Sequence, residues 1–287
     1  MAQNEINFKQ ERDFGELFNA TFTFIGKEFK KLGTAILYYV LPFLLVASIL
    51  GVVVGIKQQD AVGAMENYPA SVFSVFNIYY FLSILLVIIA STSLSCTTLG
   101  YIKLYVNKGQ DNFNVSDVGS EVLRYFFPVL GATFVLGALV AIGVILCIIP
   151  GIWVGVSLSI FLPLLVIEEQ DFGDAFTRSF KLIKTRFWKA LGLVLVSLIL
   201  VYILSILFSL PTIISGMKTF FVNIREPQPE NMNFGTTFYV LNSISSLLTY
   251  LISVIPAVLF AFFYFSLVEY NERPGLNDKI DQISTNE

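Results

Sequence analysis

The chain contains no histidine. That absence removes Ser-His-Asp and Cys-His nucleophile systems, imidazole-bound zinc and histidine-bound iron. Cysteine is scarce, and Cys96 and Cys147 both sit in apolar runs, which points to neither a disulfide framework nor a thiolate metal cluster. Charge is thin. Of 287 residues 14% are charged and 55% hydrophobic, with a mean hydropathy of +0.74, whereas a soluble domain carries about a quarter charged residues. The composition describes a polytopic membrane protein. No phosphate loop, zinc spacing or nucleic-acid signature is present, so no cofactor, metal or nucleic-acid partner is expected.

What the sequence does have is long apolar runs. About twenty residues at 1.5 Å each cross the ~30 Å hydrocarbon layer, and six stretches qualify: 34–56, 78–99, 129–149, 152–167, 190–210 and 243–268. Pro150-Gly151 is expected to form a tight turn between the third and fourth. Lys and Arg test the topology independently, because cations accumulate in short cytoplasmic loops. Fifteen of the 18 cations fall on one side of a six-span chain, leaving only Lys57, Lys218 and Arg225 on the other. Both termini are therefore expected in the cytoplasm, in the inner membrane of a bacterium. No cleavable signal is evident, since a charge-rich stretch precedes the first apolar run. Residues 57–77 and 211–242 are expected as outer loops, with 226–230 turn-rich.

Outside the spans a motif repeats. Asp13-Phe14-Gly15-Glu16 returns as Asp171-Phe172-Gly173-Asp174, and at the same offset Phe18, Phe22, Ile25, Phe29 and Lys31 match Phe176, Phe180, Ile183, Phe187 and Lys189, eight identities in all. A shorter echo begins at Asp117. The apolar members step by four, four, three and four, which is one face of an amphipathic helix. Each opening Asp suits an N-cap, with an acid three residues on. The predicted fold is an all-α integral membrane domain spanning residues 1–287: six transmembrane helices as three hairpins, each preceded by a cytoplasmic amphipathic interfacial helix. The repeat units are 13–110, 115–168 and 171–270, with 271–287 as a short tail. Residues 171–190 carry a net +3, giving at most ~3 kcal/mol of attraction to an anionic leaflet. Such helices either float in the lipid interface or pack as elbows beneath the bundle; their short links to the following spans favour elbow packing.

The predicted span interiors contain no Asp, Glu, Lys or Arg, which weakens an ion-coupled transporter. Neutral polar clusters remain, with Ser91, Ser95 and Thr98 in the second span and Asn242 and Ser246 at the start of the sixth as candidate pathway lining. Close helix packing is the favoured explanation of such hydroxyls. Pro256 suggests a kink. Gly51-xxx-Gly55 fits a helix-contact pattern that Gly-rich membrane sequence often produces. Glu168, at the end of the fourth span, and Arg178, on the repeated helix, form a candidate clamp; Arg178 with Lys181 and Trp188 forms a candidate headgroup site.

The run Ile149-Pro150-Gly151-Ile152-Trp153, then Phe161-Leu162-Pro163, Glu168, Asp174-Ala175-Phe176-Thr177-Arg178-Ser179 and Phe187-Trp188 resembles the bacterial glycerophosphodiester phosphodiesterase membrane-domain family, over about residues 130–195. The resemblance implies a six-span inner-membrane domain without the soluble phosphodiesterase, whose histidines and acidic metal ligands this chain lacks. The expected function is therefore non-enzymatic: organising or assisting membrane lipids, anionic headgroups at the cytoplasmic face, or a membrane-protein partner through basic amphipathic helices. The alternative is a transporter or lipid translocator with a neutral intramembrane cavity.

Overall fold

The computed structural model describes residues 6–64, 76–110, 112–225 and 234–272. Among them ten α-helices occur and no strand: α1 (Phe14–Tyr39), α2 (Leu41–Ala64), α3 (Ile78–Lys108), α4 (Val115–Leu146), α5 (Ile148–Ser157), α6 (Phe161–Val166), α7 (Phe172–Lys184), α8 (Phe187–Arg225), α9 (Thr236–Ile252) and α10 (Val254–Glu272). Six stretches are long and apolar enough to cross a membrane: Leu41–Ala61, Ile78–Lys108, Val115–Leu146, Ile148–Val166, Phe187–Phe221 and Thr236–Glu272. The protein is an all-α, multi-pass membrane protein.

The six spans match the expected number but not the expected ends. Residues 34–39 belong to α1, and the first span starts at Leu41. Pro42 is the reason: it has no amide hydrogen for the Tyr38 carbonyl, and its ring crowds that carbonyl. The second span does not stop at residue 99, because Tyr101, Ile102, Leu104 and Tyr105 continue its buried surface toward Lys108. No separate amphipathic helix precedes the third span, since α4 runs 32 residues through Pro128. The turn expected at Pro150-Gly151 lies at Cys147, whose backbone is extended (φ −165°, ψ 128°). Pro150 instead occupies the first turn of α5, where a missing amide hydrogen costs little. Gly151 allows α4 and α5 to touch: a Cβ there would lie 2.5 Å from the Val144 amide nitrogen.

Helix also replaces much of the expected outer loops. α2 extends to Ala64, α8 covers 39 residues through Arg225, and α9 begins at Thr236; residues 226–230 lie outside the described residues. The sixth span breaks at Ser253, just after Ile252, the residue whose carbonyl loses its partner because Pro256 has no amide hydrogen. Of the tail from 271, Asn271 and Glu272 complete α10 and the remainder lies outside the described residues.

The helix starts use acids differently from expectation. Asp171 stands at the α7 N-cap with extended backbone, but its side chain makes no capping bond. At α1 it is the Asp13 amide that donates to Glu16, at 2.8 Å. Asp117 lies inside α4 and accepts from the Asn114 amide at 2.9 Å, which is the reciprocal half of a capping box.

The chain divides into two compact units that cut across the three expected repeat units. One comprises Met1–Tyr39, Thr92–Leu198 and Val254–Glu287, the other Val40–Ser91 and Ile199–Ser253. The core of the first contains Leu17, Phe24, Tyr101, Phe161, Ile183 and Phe262, all fully enclosed. Phe8 lies against Phe24 and Phe265 and stacks on Phe262 with ring centres 4.4 Å apart, so the segment before α1 is pinned by an aromatic nest. In the second unit α2 packs on α9, and Gly55 lies so close to Tyr239 that a Cβ there would meet the ring at 2.2 Å. The Gly51-xxx-Gly55 pattern is a real helix contact.

Candidate functional site

The faces of α1 and α7 determine what the repeated motif can reach. On α1 the buried residues are Leu17, Thr21, Phe24, Glu28, Leu32 and Ala35. The repeated stripe lies beside that face: Phe14 and Phe22 are exposed, and Phe29 is 69% exposed. On α7 the buried residues are Ala175, Ser179, Leu182 and Ile183, with Phe172 exposed and Phe176 half-buried. Burial therefore follows the same offset of 158 at 17 and 175, 21 and 179, and 24 and 182. At Ser179 the packed contact is a hydrogen bond to the Ser157 carbonyl.

Arg178 leaves this buried face and meets two carboxylates of the first unit. Its Nε lies 2.8 Å from Glu168 Oε2, and its Nη1 2.9 Å from Glu272 Oε1 at the end of α10. Tyr264 donates to Glu168 Oε1 at 2.6 Å, and the Gln170 amide donates to Oε2 at 2.6 Å. Burial alone would lower the Arg178 pKa, but the bonds to Glu272 and Glu168 outweigh it and the net shift is upward. The guanidinium thus holds the turn after α6, helix α7 and the end of α10 together. Glu272 is a partner that reading the sequence for this clamp did not supply. Lys181 and Trp188 do not join this cluster: Lys181 is exposed, and Trp188 is 81% exposed with its ring against Phe187.

A second charge cluster escaped the sequence reading. Lys103 is only 4% exposed on α3, and its Nζ lies 2.7 Å from Glu121 and 2.7 Å from Glu169, with Tyr125 as a further contact. Glu169 also pairs with Arg124 at 2.8 Å. Lys103 lies beyond the expected span 78–99, where α3 continues past its apolar stretch and carries this lysine into the packed core. One signal was available. Residues 103 and 121 are equidistant from Asn112, so a helical hairpin turning near Gly109 (φ 85°) brings them opposite each other. Glu169 sits in the left-handed region (φ 57°), a conformation that costs a non-glycine residue about 1–2 kcal/mol and that its two ionic partners offset. Hydrogen bonding to Lys103 holds the Glu169 carboxyl below the usual carboxylate range.

Three further groups anchor the same unit. Glu28, 2% exposed, accepts from Tyr101 at 2.5 Å and from Gln110 at 2.6 Å. The Arg12 guanidinium donates to the Phe8 carbonyl at 3.2 Å and lies over Phe262, and burial lowers its pKa. Arg186 pairs with Glu11 and covers the Tyr270 ring at 3.8 Å.

The expected pathway residues separate. Asn242 and Ser246 line a groove of about 160 Å³ in the second unit with Ser48, Ser83, Ser243 and Tyr250. Ser246 donates to the Asn242 carbonyl at 2.8 Å. Ser91, Ser95 and Thr98 are not among the lining residues of that groove. Ser91 donates to the Ile88 carbonyl at 3.0 Å, Ser95 is half-buried, and Thr98 is fully enclosed.

No curated protein and no solved structure matches the chain. A family model does match residues 112–267, more than half the length and including α4 to α9 with Arg124, Glu168, Glu169 and Arg178, while Lys103 and Glu272 lie outside it. The chain belongs to the family described as Domain of unknown function (DUF7847).

Proposed function

We propose that this is a non-enzymatic protein of the bacterial cytoplasmic membrane that organises or assists lipids or membrane partners at the inner leaflet, using α1 and α7 as its working surface. The observation that carries the reading is the exposed aromatic stripe on α1, alongside exposed Lys27 and Lys30. Large apolar side chains facing water forgo about 1.5–3 kcal/mol each relative to burial, whereas in a headgroup layer the rings enter the acyl boundary and the ammonium groups meet phosphates. On α7, exposed Lys181 and Lys184 supply the same chemistry. The matching burial at the offset of 158 supports treating the two helices as copies of one amphipathic module. The Arg178 clamp supports the elbow arrangement, because it ties α7 to α10 while leaving the lysines outward. It also joins Glu168 to Arg178 across the stretch that resembles the glycerophosphodiester phosphodiesterase membrane-domain family, a kinship proposed on those residues alone.

Both termini are taken as cytoplasmic on the cation distribution. Sided cysteine labelling tests this directly, and labelling of position 20 or 180 from the periplasm would overturn it. For the leaflet surface, Trp188 fluorescence in a Trp153→Phe background is read in vesicles with bromine-labelled acyl chains. Strong quenching that weakens when Lys181 and Lys184 are changed to Gln supports the reading; no quenching contradicts it. Turnover of a lipid or phosphodiester that is lost with Glu168→Gln would replace it with an enzyme.

A second reading, a translocator with a neutral cavity, is favoured by one observation, the hydroxyl- and amide-lined groove at Asn242 and Ser246. Liposome flux abolished by Ser246→Phe would support it, and no flux across a broad substrate panel would count against it.

A further inference from the structure

A larger groove lies in the first unit, and its chemistry differs along its length. It encloses about 470 Å³, within the range of ligand sites. Phe127, Gly131 and Val135 of α4 form its apolar run, and Arg124, Gln170 and Asp171 form its polar end. Arg124 and Val135 are eleven residues apart, roughly 16 Å along a helix. In a membrane-spanning helix such a gradient matches one kind of molecule, a lipid with its head at the interface and a chain running inward.

The charges at the mouth narrow the headgroup. Among the lining residues Arg124 contributes one positive charge and Glu169 and Asp171 two negative ones, so the mouth carries one negative charge in excess. Arg124 suits a phosphate, since its side chain is 59% exposed beyond its bond to Glu169. A purely anionic headgroup would nevertheless add to the excess. An amine linked to the phosphate cancels that added charge, and two acceptors await one. The Asp171 side chain makes no capping bond. Gln170 Oε1 is buried without a hydrogen-bond partner among the described residues, while its amide nitrogen is committed to Glu168. An orphaned buried acceptor is costly, and an ammonium donor satisfies it.

We infer that this groove binds one zwitterionic phospholipid, phosphate on Arg124, amine on Asp171 and Gln170, and an acyl chain along Phe127, Gly131 and Val135. This goes beyond the leaflet surface of α1 and α7, and the two are separable, because the groove does not include Lys181 or Lys184.

Gly131 provides a clean obstruction, because an added Cβ there meets nothing within 4 Å. The full chain is purified, exchanged into bicelles of equal phosphatidylethanolamine and phosphatidylglycerol, and its retained lipid counted by native mass spectrometry. Wild type is expected to keep one phosphatidylethanolamine. Gly131→Trp displaces several methylenes and cuts retention about tenfold or more, with the melting midpoint unchanged; Val135→Trp does the same and stands in if Gly131→Trp does not fold. Asp171→Asn removes the preference between the two headgroups while total lipid is kept. Lys181→Gln with Lys184→Gln leaves retention as in wild type. Equal retention by both Trp variants, preference for phosphatidylglycerol, no retained lipid, or loss on changing the two lysines would each overturn the inference.

Discussion

The two compact units hold their helices together by different means. In the first, α3, α4, α7 and α10 exchange charges: Lys103 with Glu121 and Glu169, Arg178 with Glu168 and Glu272. In the second, neutral groups meet. Thr212 and Ser245 share a hydrogen bond of 3.0 Å, Ser245 also donates to the Phe208 carbonyl, and Gly55 makes room for Tyr239. Ion pairs among the described residues lie in the first unit. The difference follows from what each replaces. A hydroxyl in an apolar span satisfies itself on nearby backbone or a neighbouring hydroxyl, so pairing it gains little. A buried ammonium has no such refuge, and its partners must be placed by the fold.

Three experiments sharpen that contrast. Lys103→Met leaves Glu121 and Glu169 without their buried cation and should destabilise the first unit by about 3–5 kcal/mol. Thermal unfolding in detergent reads it, and adding Glu121→Gln should restore part of the loss. Gly55→Leu drives a side chain into the Tyr239 ring and should cost about 1–3 kcal/mol, relieved when Tyr239→Ala is added; an effect unmoved by Tyr239→Ala would show that the contact is not the cause. A double-mutant cycle of Thr212→Val and Ser245→Ala should return a coupling near ~0.6 kcal/mol, and a value as large as the Lys103 effect would erase the contrast between the units.

The smallest effect concerns pH. Because the Glu169 carboxyl titrates below its ordinary 4.5, its stabilisation is complete above that value and is lost as pH falls through the lowered pKa. Glu169 is well exposed, so solvent screening limits the change to a few tenths of a kcal/mol. Glu169→Gln should flatten the acid-side loss of stability by that amount, measured as the melting midpoint between pH 5 and pH 3.

Particular residues show where the sequence could be read and where it could not. Hydropathy alone marked six spans, since apolar length is a property of consecutive residues. Glu168 and Arg178 were legible as a pair because they lie ten residues apart beside one turn. Glu272 was not, being 94 residues from Arg178. The repeated Phe stripe was legible as a face, but periodicity cannot say which side of a helix a fold covers. The packed side proved to be Leu17, Thr21, Phe24 and Glu28, with the stripe at its border.

By itself, then, the sequence determined an all-α membrane protein with six stretches long and apolar enough to cross, and a motif at residues 13–31 that returns at 171–189, because solvent transfer and helical period act locally. Only the tertiary structure decided that Phe8 plugs an aromatic nest, that Lys103 is buried between two carboxylates, and that Arg124 and Asp171 border one groove. Those outcomes depend on helices distant in sequence meeting at close range, where glycine contacts, a break at Pro42 and a turn at Cys147 set which faces meet.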